Sequence, residues 1–188
     1  MIPKHKVFIS YHHANDQWYK EELIRLNGFH DLFVDGSVNT GDINDELPSD
    51  SIRRIIRDSY LADSTVTILL AGKDVSKRKH IDWELKSNMI DGTINKKSGI
   101  LVINLPTSGY NNFKVSHGNE KTVLYDESIS WTSIDSREEF KNRHPHLPDR
   151  IIDNLLKNDV YISIINWERV IKNSVSYTHL TLPTICSV

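Results

Sequence analysis

The chain has a single cysteine, Cys186, among 188 residues. Neither a disulfide framework nor a cysteine-based metal site can be built from it. That scarcity fits a reducing compartment, and the expectation is a cytoplasmic protein. No stretch approaches the roughly 20 consecutive apolar residues that a membrane-spanning helix needs. The opening "MIPKHKVFISY" has neither the long apolar run nor the small-residue cleavage site of a signal peptide, so no membrane partner is expected. Charge of one sign is lacking too: 23 Lys and Arg face 25 Asp and Glu, a net charge of -2. Such a balance leaves no electrostatic footprint for nucleic acid. There is no internal repeat and no low-complexity segment. There is also no G-x-G-x-x-G turn and no phosphate loop ending in Gly-Lys-Ser/Thr, so neither hydride chemistry nor ATP hydrolysis is signalled.

What is present is an ordinary soluble composition, 38% hydrophobic and 26% charged, long enough to bury roughly 70% of its unfolded surface. "KVFISY" reads as a buried strand. "NDQWYKEELIRLNG" reads as a helix, capped by Asn15 and closed by Gly28. "DLFVD" is a short strand, and a polar loop "GSVNTGDINDEL" follows it. "SDSIRRIIRDSYLADS" is a helix with Ser49 as cap and Ile52, Ile55, Ile56 and Tyr60 on its apolar side. "STVTILLAG" is the strongest strand, apolar almost throughout, as a central parallel strand covered on both faces should be. "HIDWELKSNMIDG" is a helix closed by Gly92, with Ile81, Leu85 and Met89 facing inward, and "SGILVINLP" is a further strand. The order β-α-β-α-β-α-β predicts an α/β fold with a central parallel sheet and helices on both faces. Beyond Pro106 the pattern weakens. "SREEFKNRHPHLPDRIIDNLLKN" holds two helices around a proline-punctuated turn, and "DVYISIINWERVIKN" a last strand and helix.

Open parallel sheets bind ligands beyond the carboxyl ends of their strands. Those ends carry "SYHHAND", "DGSVNTGD" and "AGKDVSKRKHIDWE", so the chemistry-bearing residues converge there by topology. Each cluster has a bland reading. His12 and His13 are adjacent residues, which rarely share a ligand geometry, and read as solvated loop histidines. His144-Pro145-His146 lacks the fuller ligand set of a zinc site. Asp35, Ser37, Asn39 and Glu46 fall at positions one, three, five and twelve of a calcium loop, but Thr40 stands where that loop needs glycine. The cations Lys77, Arg78 and Lys79 read as a solvated loop. The third strand ends Ala71-Gly72, without the aspartate of a phosphoacceptor receiver domain. No metal and no resident cofactor is expected.

"VFISYHH" before a helix, "FVDGSVNTGD" after the second strand and "HIDWEL" opening the third helix together resemble Toll/interleukin-1 receptor (TIR) domains. They are most similar to the bacterial TIR-like proteins of the Thoeris anti-phage system. The resemblance covers roughly residues 4–106. It implies a flavodoxin-like fold in three layers, with a TIR-like core at 1–106 and a continuation of the same domain at 107–174. It also implies a catalytic glutamate for NAD cleavage on the helix after the third strand, which maps onto Glu84. Many members carry a tryptophan a few residues before that acid. Here His80 stands nearest that place, and Trp83 is adjacent to Glu84 instead. Ser10, Tyr11 and His12 after the first strand, and Asp35, Asn39 and Gly41 in the second-strand loop, map onto the substrate pocket, with Trp83 beside them. The resemblance further implies a homo-oligomer on activation, NAD as substrate rather than cofactor, and a downstream effector protein that senses the nucleotide product. A non-catalytic TIR module acting by self-association is the alternative, with Glu84 then a surface acid.

One carboxylate suffices for that chemistry. Glycosidases use two because the leaving alcohol needs a proton. The nicotinamide of NAD is already cationic and leaves as a neutral ring, so what remains to be stabilised is positive charge on the ribose. Residues 175–188 differ in kind. "VSYTHLTLPT", Val175 to Thr184, resembles the translation of a transposon-end adapter used in DNA library preparation. The expectation is an artefact tail that takes Cys186 with it and stands in place of native C-terminal sequence.

Overall fold

Apolar, β-branched runs at five places in the chain assemble into one sheet in the computed structural model, which describes residues 4–37, 48–62, 64–90, 97–109, 114–115, 130–157 and 160–176. The strands are β1 (Lys6–Ser10), β2 (Val34–Asp35), β3 (Val66–Ala71), β4 (Gly99–Asn104) and β5 (Ile162–Asn166). All neighbours are parallel, in the order β2-β1-β3-β4-β5. Every residue of β3 and β4 is buried, which is why both read as unbroken apolar runs rather than as alternating ones. The fold is α/β and flavodoxin-like, as expected.

The helices are α1 (His13–His30), α2 (Ser49–Ile55), α3 (Lys79–Met89), α4 (Arg137–Arg143), α5 (Asp149–Lys157) and α6 (Trp167–Ser176). Strand pleating divides the core into layers, because successive side chains point to opposite faces. Val7, Ile9 and Tyr11 join Ile68, Leu70 and Ile103 under α1 and α6, where Leu23, Trp167 and Val170 meet them. On the other face, Leu69, Ala71 and Val102 pack on Ile81 and Leu85 of α3 and on Ile151 and Ile152 of α5. Phe8 is covered by Ile52, Ile56 and Leu61. Among the described residues, no helix is long and apolar enough to cross a membrane.

Both ends of α1 differ from the expectation, and α3 ends at Met89, with Gly92 outside the described residues. Helix α1 begins at His13, and His12 rather than Asn15 caps it, with His12 Nδ1 accepting the Asn15 amide at 3.3 Å. The helix also runs past Gly28 to end at Asp31, which adopts a left-handed φ of 51°. Asn27 sets that end. Its Oδ1 accepts the amides of Leu32 and Phe33, each at 2.9 Å, and its Nδ2 donates to the Phe33 carbonyl at 2.9 Å. A side chain that satisfies the turn's own amides offers the backbone an alternative to helical bonding and so ends the helix. The second helix is not uniform either. It widens to a π-helical turn over Ile56–Leu61. The i→i+5 bonding brings Leu61 back over Ile56 and so keeps both on Phe8.

Residues 107–174 supply β5 and α4 to α6. Strand β5 pairs with β4 along Ile100↔Ile162 to Asn104↔Asn166. Helix α6 reaches Ser176, and residues 177–188, most of the expected artefact tail, lie outside the described residues.

Candidate functional site

The chain leaves β1 to make β2 on one side and returns to make β3 on the other. That reversal of strand order makes the carboxyl ends of β1 and β3 the topological switch point, the place where open α/β sheets hold ligands. Two side chains meet there. Ser10, the last residue of β1, points to the α3 face because it lies two residues beyond Phe8. Glu84 comes from the second turn of α3. The Ser10 hydroxyl donates to Glu84 Oε2 at 2.5 Å. Ser10 is buried, and Glu84 keeps a partial outlet to solvent while protein crowds its carboxyl. Desolvation pushes that carboxyl up from 4.5 to about 7, and the Ser10 hydrogen bond pulls the other way. A carboxyl poised near neutrality at a sheet crevice is an unusual expense for a structural residue.

Trp83 is half-buried beside this acid, its ring edge-on to His80 at 5.0 Å. His80 sits one helical turn before Glu84, so it shares that face of α3. The remaining pocket expectations fare differently. Tyr11 is buried in the α1 layer, on the opposite side of the sheet from Glu84. Its ring stacks on His13 at 4.4 Å and its hydroxyl donates to Gln17 Oε1 at 2.7 Å. His12 is not a solvated loop histidine: it is buried and caps α1. Asp35 accepts both the amide and the hydroxyl of Ser37, at 3.0 and 2.6 Å, and Ser37 Oγ accepts the Ile9 amide at 3.0 Å. Its carboxylate therefore ties the second-strand loop to β1. Asn39, Gly41, Thr40 and Glu46 lie outside the described residues. Among the described residues, no three His, Cys, Asp or Glu side chains are grouped to hold a metal ion.

Sequence reading passed over Asp16. It is fully buried in the first turn of α1, and desolvation raises its pKa. The spacing carried a signal, since Asp16, Lys20, Leu23 and Leu26 form the buried stripe of α1. Gly72, at the end of β3, is the seat of that carboxylate.

His144 and His146 are buried. His146 Nε2 lies 2.7 Å from Asn104 Oδ1 and must donate, because an amide oxygen only accepts. Asn104 Nδ2 donates in turn to Asn166 Oδ1 at 3.2 Å. This polar row crosses the carboxyl ends of β4 and β5. Burial pushes both histidines down from 6.5 to about 4. A depressed pKa means that the unfolded chain binds protons first. Their contribution to stability is therefore intact above pH 6.5 and is lost as pH falls through 4. Each histidine accounts for about 1–3 kcal/mol of that loss. His146→Gln keeps a donor to Asn104 without a titrating ring. Thermal unfolding from pH 7 to pH 4 is expected to show the variant losing less stability than wild type. Parallel curves would show that His146 does not titrate in this range.

The family model described as "Thoeris protein ThsB, TIR-like domain" matches residues 8–110, more than half of the chain. The match takes in the last three residues of β1 and all of β3 and α3, and hence both Ser10 and Glu84. No curated protein matches the chain.

Proposed function

From the premise that this chain belongs to the Thoeris ThsB TIR-like domain family, we propose that it is an NAD-cleaving enzyme of anti-phage defence. Glu84 is the catalytic carboxylate. The observation that carries this reading is the desolvated Glu84 carboxyl held by Ser10 at the strand-order switch point.

The scissile bond joins ribose C1′ to the nicotinamide nitrogen. Its electron pair leaves with the ring, which becomes neutral nicotinamide, and positive charge develops on the ribose. A carboxylate fixed nearby stabilises that charge without having to donate a proton. Ser10 orients Glu84, and Trp83 offers an aromatic face beside it. Tyr11, His12 and Asp35 shape the segments that carry the site. Water reaching the ribosyl cation gives ADP-ribose. Capture by the adenine portion of the same molecule gives a cyclic product, and another acceptor gives a conjugate. A nucleotide of this kind acts as a signal for an effector protein, and self-association on activation completes the site. The competing reading, a purely interacting module, makes Glu84 a solvated surface acid, and its desolvation argues against that.

The test is nicotinamide release from NAD by liquid chromatography and mass spectrometry, at high protein concentration and in phage-infected lysate. Release that is lost in Glu84→Gln is the expected result, and the mass of the second product names the branch. Intact NAD in both samples with folded wild-type protein would leave the interaction module as the better reading.

A further inference from the structure

Glu84 is useful only while α3 holds it against Ser10, and α3 is held at both ends. At its C-terminal end Asn88 is buried. Its Nδ2 donates to the Glu84 carbonyl at 2.9 Å, and its Oδ1 accepts from Ser98 Oγ at 3.1 Å. The Ser98 amide donates to the Asn88 carbonyl at 3.1 Å. The N-terminal end has no side-chain cap, since Arg78 makes none. What reaches it is Arg150 of α5. Arg150 Nε donates to Asp82 Oδ1 at 2.7 Å, and Nη2 to Oδ2 at 2.8 Å, in a two-pronged ion pair. Asp82 lies two residues before Glu84, whereas Arg150 lies outside residues 8–110, the span the family model matches.

We propose that Arg150 is a positioning residue for Glu84: its fork on Asp82 sets the tilt of α3 and keeps the Glu84 carboxyl drawn in against Ser10. The C-terminal segment then governs the site without touching substrate. Any partner that draws α5 aside releases Glu84 toward solvent. The geometry favours this over a surface ion pair of little consequence. A planar guanidinium bonded to both oxygens of one carboxylate fixes an angle as well as a distance, which a point charge does not. The rate readout below rests on the NAD-cleavage reading, whereas the titration readout does not.

Glu84 reports its own position. Burial and the Ser10 hydroxyl are the influences on its titration, and no neighbouring charge figures among them. Loosening α3 should lower its midpoint by hydration, and the Asp82 charge left without Arg150 acts in the opposite direction, so a fall reports hydration. The carboxyl is followed by carbon-13 NMR titration, assigned by comparison with Glu84→Gln. The variants are Arg150→Gln, Arg150→Lys and the exchange Asp82→Arg with Arg150→Asp. In Arg150→Gln the midpoint is expected to fall by about 0.5–1 pH unit, toward the value of a hydrated glutamate. Nicotinamide release should lose about 3–10-fold in kcat with little change in KM, as for a loss felt in the transition state. The exchange should recover most of both effects, and Arg150→Lys should fall between. Should Arg150→Gln not fold, Arg150→Lys, which keeps the charge, carries the same readouts. An unmoved midpoint in a folded variant, or an exchange that restores nothing, overturns the proposal. A shifted midpoint in a protein that never releases nicotinamide overturns the NAD reading and leaves the clamp standing.

Discussion

Glu84→Gln is expected to slow nicotinamide release by at least about 100-fold, the usual effect of removing a group that stabilises transition-state charge. The same variant should unfold at a higher temperature than wild type at pH 8. The two effects have one cause. The folded-state pKa of Glu84 is raised from 4.5 to about 7 by desolvation. A raised carboxyl contributes its full stability below the unfolded value, and that stability is lost as pH rises through the folded one. At pH 8 the ionised, desolvated carboxylate therefore costs about 1–3 kcal/mol, with allowance for its partial exposure. Glutamine carries no such cost and can still accept the Ser10 hydroxyl. In a chain of this length the gain is worth about 2–4 °C per kcal/mol. It should shrink as pH falls and vanish near pH 4.5. The wild-type rate should climb from pH 6 to 8 as the carboxylate forms. Melting curves of both proteins at pH 4.5, 7 and 8 check the stability half without any activity. Coincident curves at pH 8 would mean that Glu84 is hydrated and its poise at the crevice is illusory.

Gly72→Ala carries the second large effect. A Cβ at Gly72 would lie 2.4 Å from both Asp16 carboxylate oxygens and 2.7 Å from its Cγ. Contacts this short force something to move. Asp16 cannot simply swing into solvent, because it is fully buried in the first turn of α1. Helix α1 or the end of β3 must shift instead, and such overpacking costs about 1–3 kcal/mol. The expected result is a drop of several degrees in the melting temperature. Adding Asp16→Ala should return much of it, because the two substitutions share one contact and cannot add independently. Circular dichroism melts of the two single variants and the double variant give the coupling directly. Strict additivity would show that Gly72 and Asp16 do not press on each other.

The site was legible in the sequence in an uneven way. Glu84 could be placed because α3 declares itself by helical spacing and follows the strongest strand, so topology alone carries it to the sheet crevice. Ser10 and Tyr11 could be assigned to the end of β1 but not told apart. They are neighbours in the chain, yet pleating sends Ser10 to Glu84 and Tyr11 into the opposite core layer. His12 reads as a loop histidine until it is seen capping α1. Asp35 offers a carboxylate to the crevice on paper, and Ser37 takes it in the folded chain. Arg150 could not be found at all, because nothing in its local pattern points to a partner in α3.

By itself, then, the sequence determined the parallel α/β architecture, the order of its elements, and the helix that presents the candidate acid. Those depend on periodicity and on the bonding needs of the backbone, which are local and repeat along the chain. The tertiary structure decided which face each residue after β1 serves. It also decided that Asp16, His144 and His146 are buried, that the Glu84 carboxyl is poised near 7, and that α5 grips α3 through Arg150. These depend on desolvation and on contacts between segments far apart in sequence, and both come into being only when the layers close on one another.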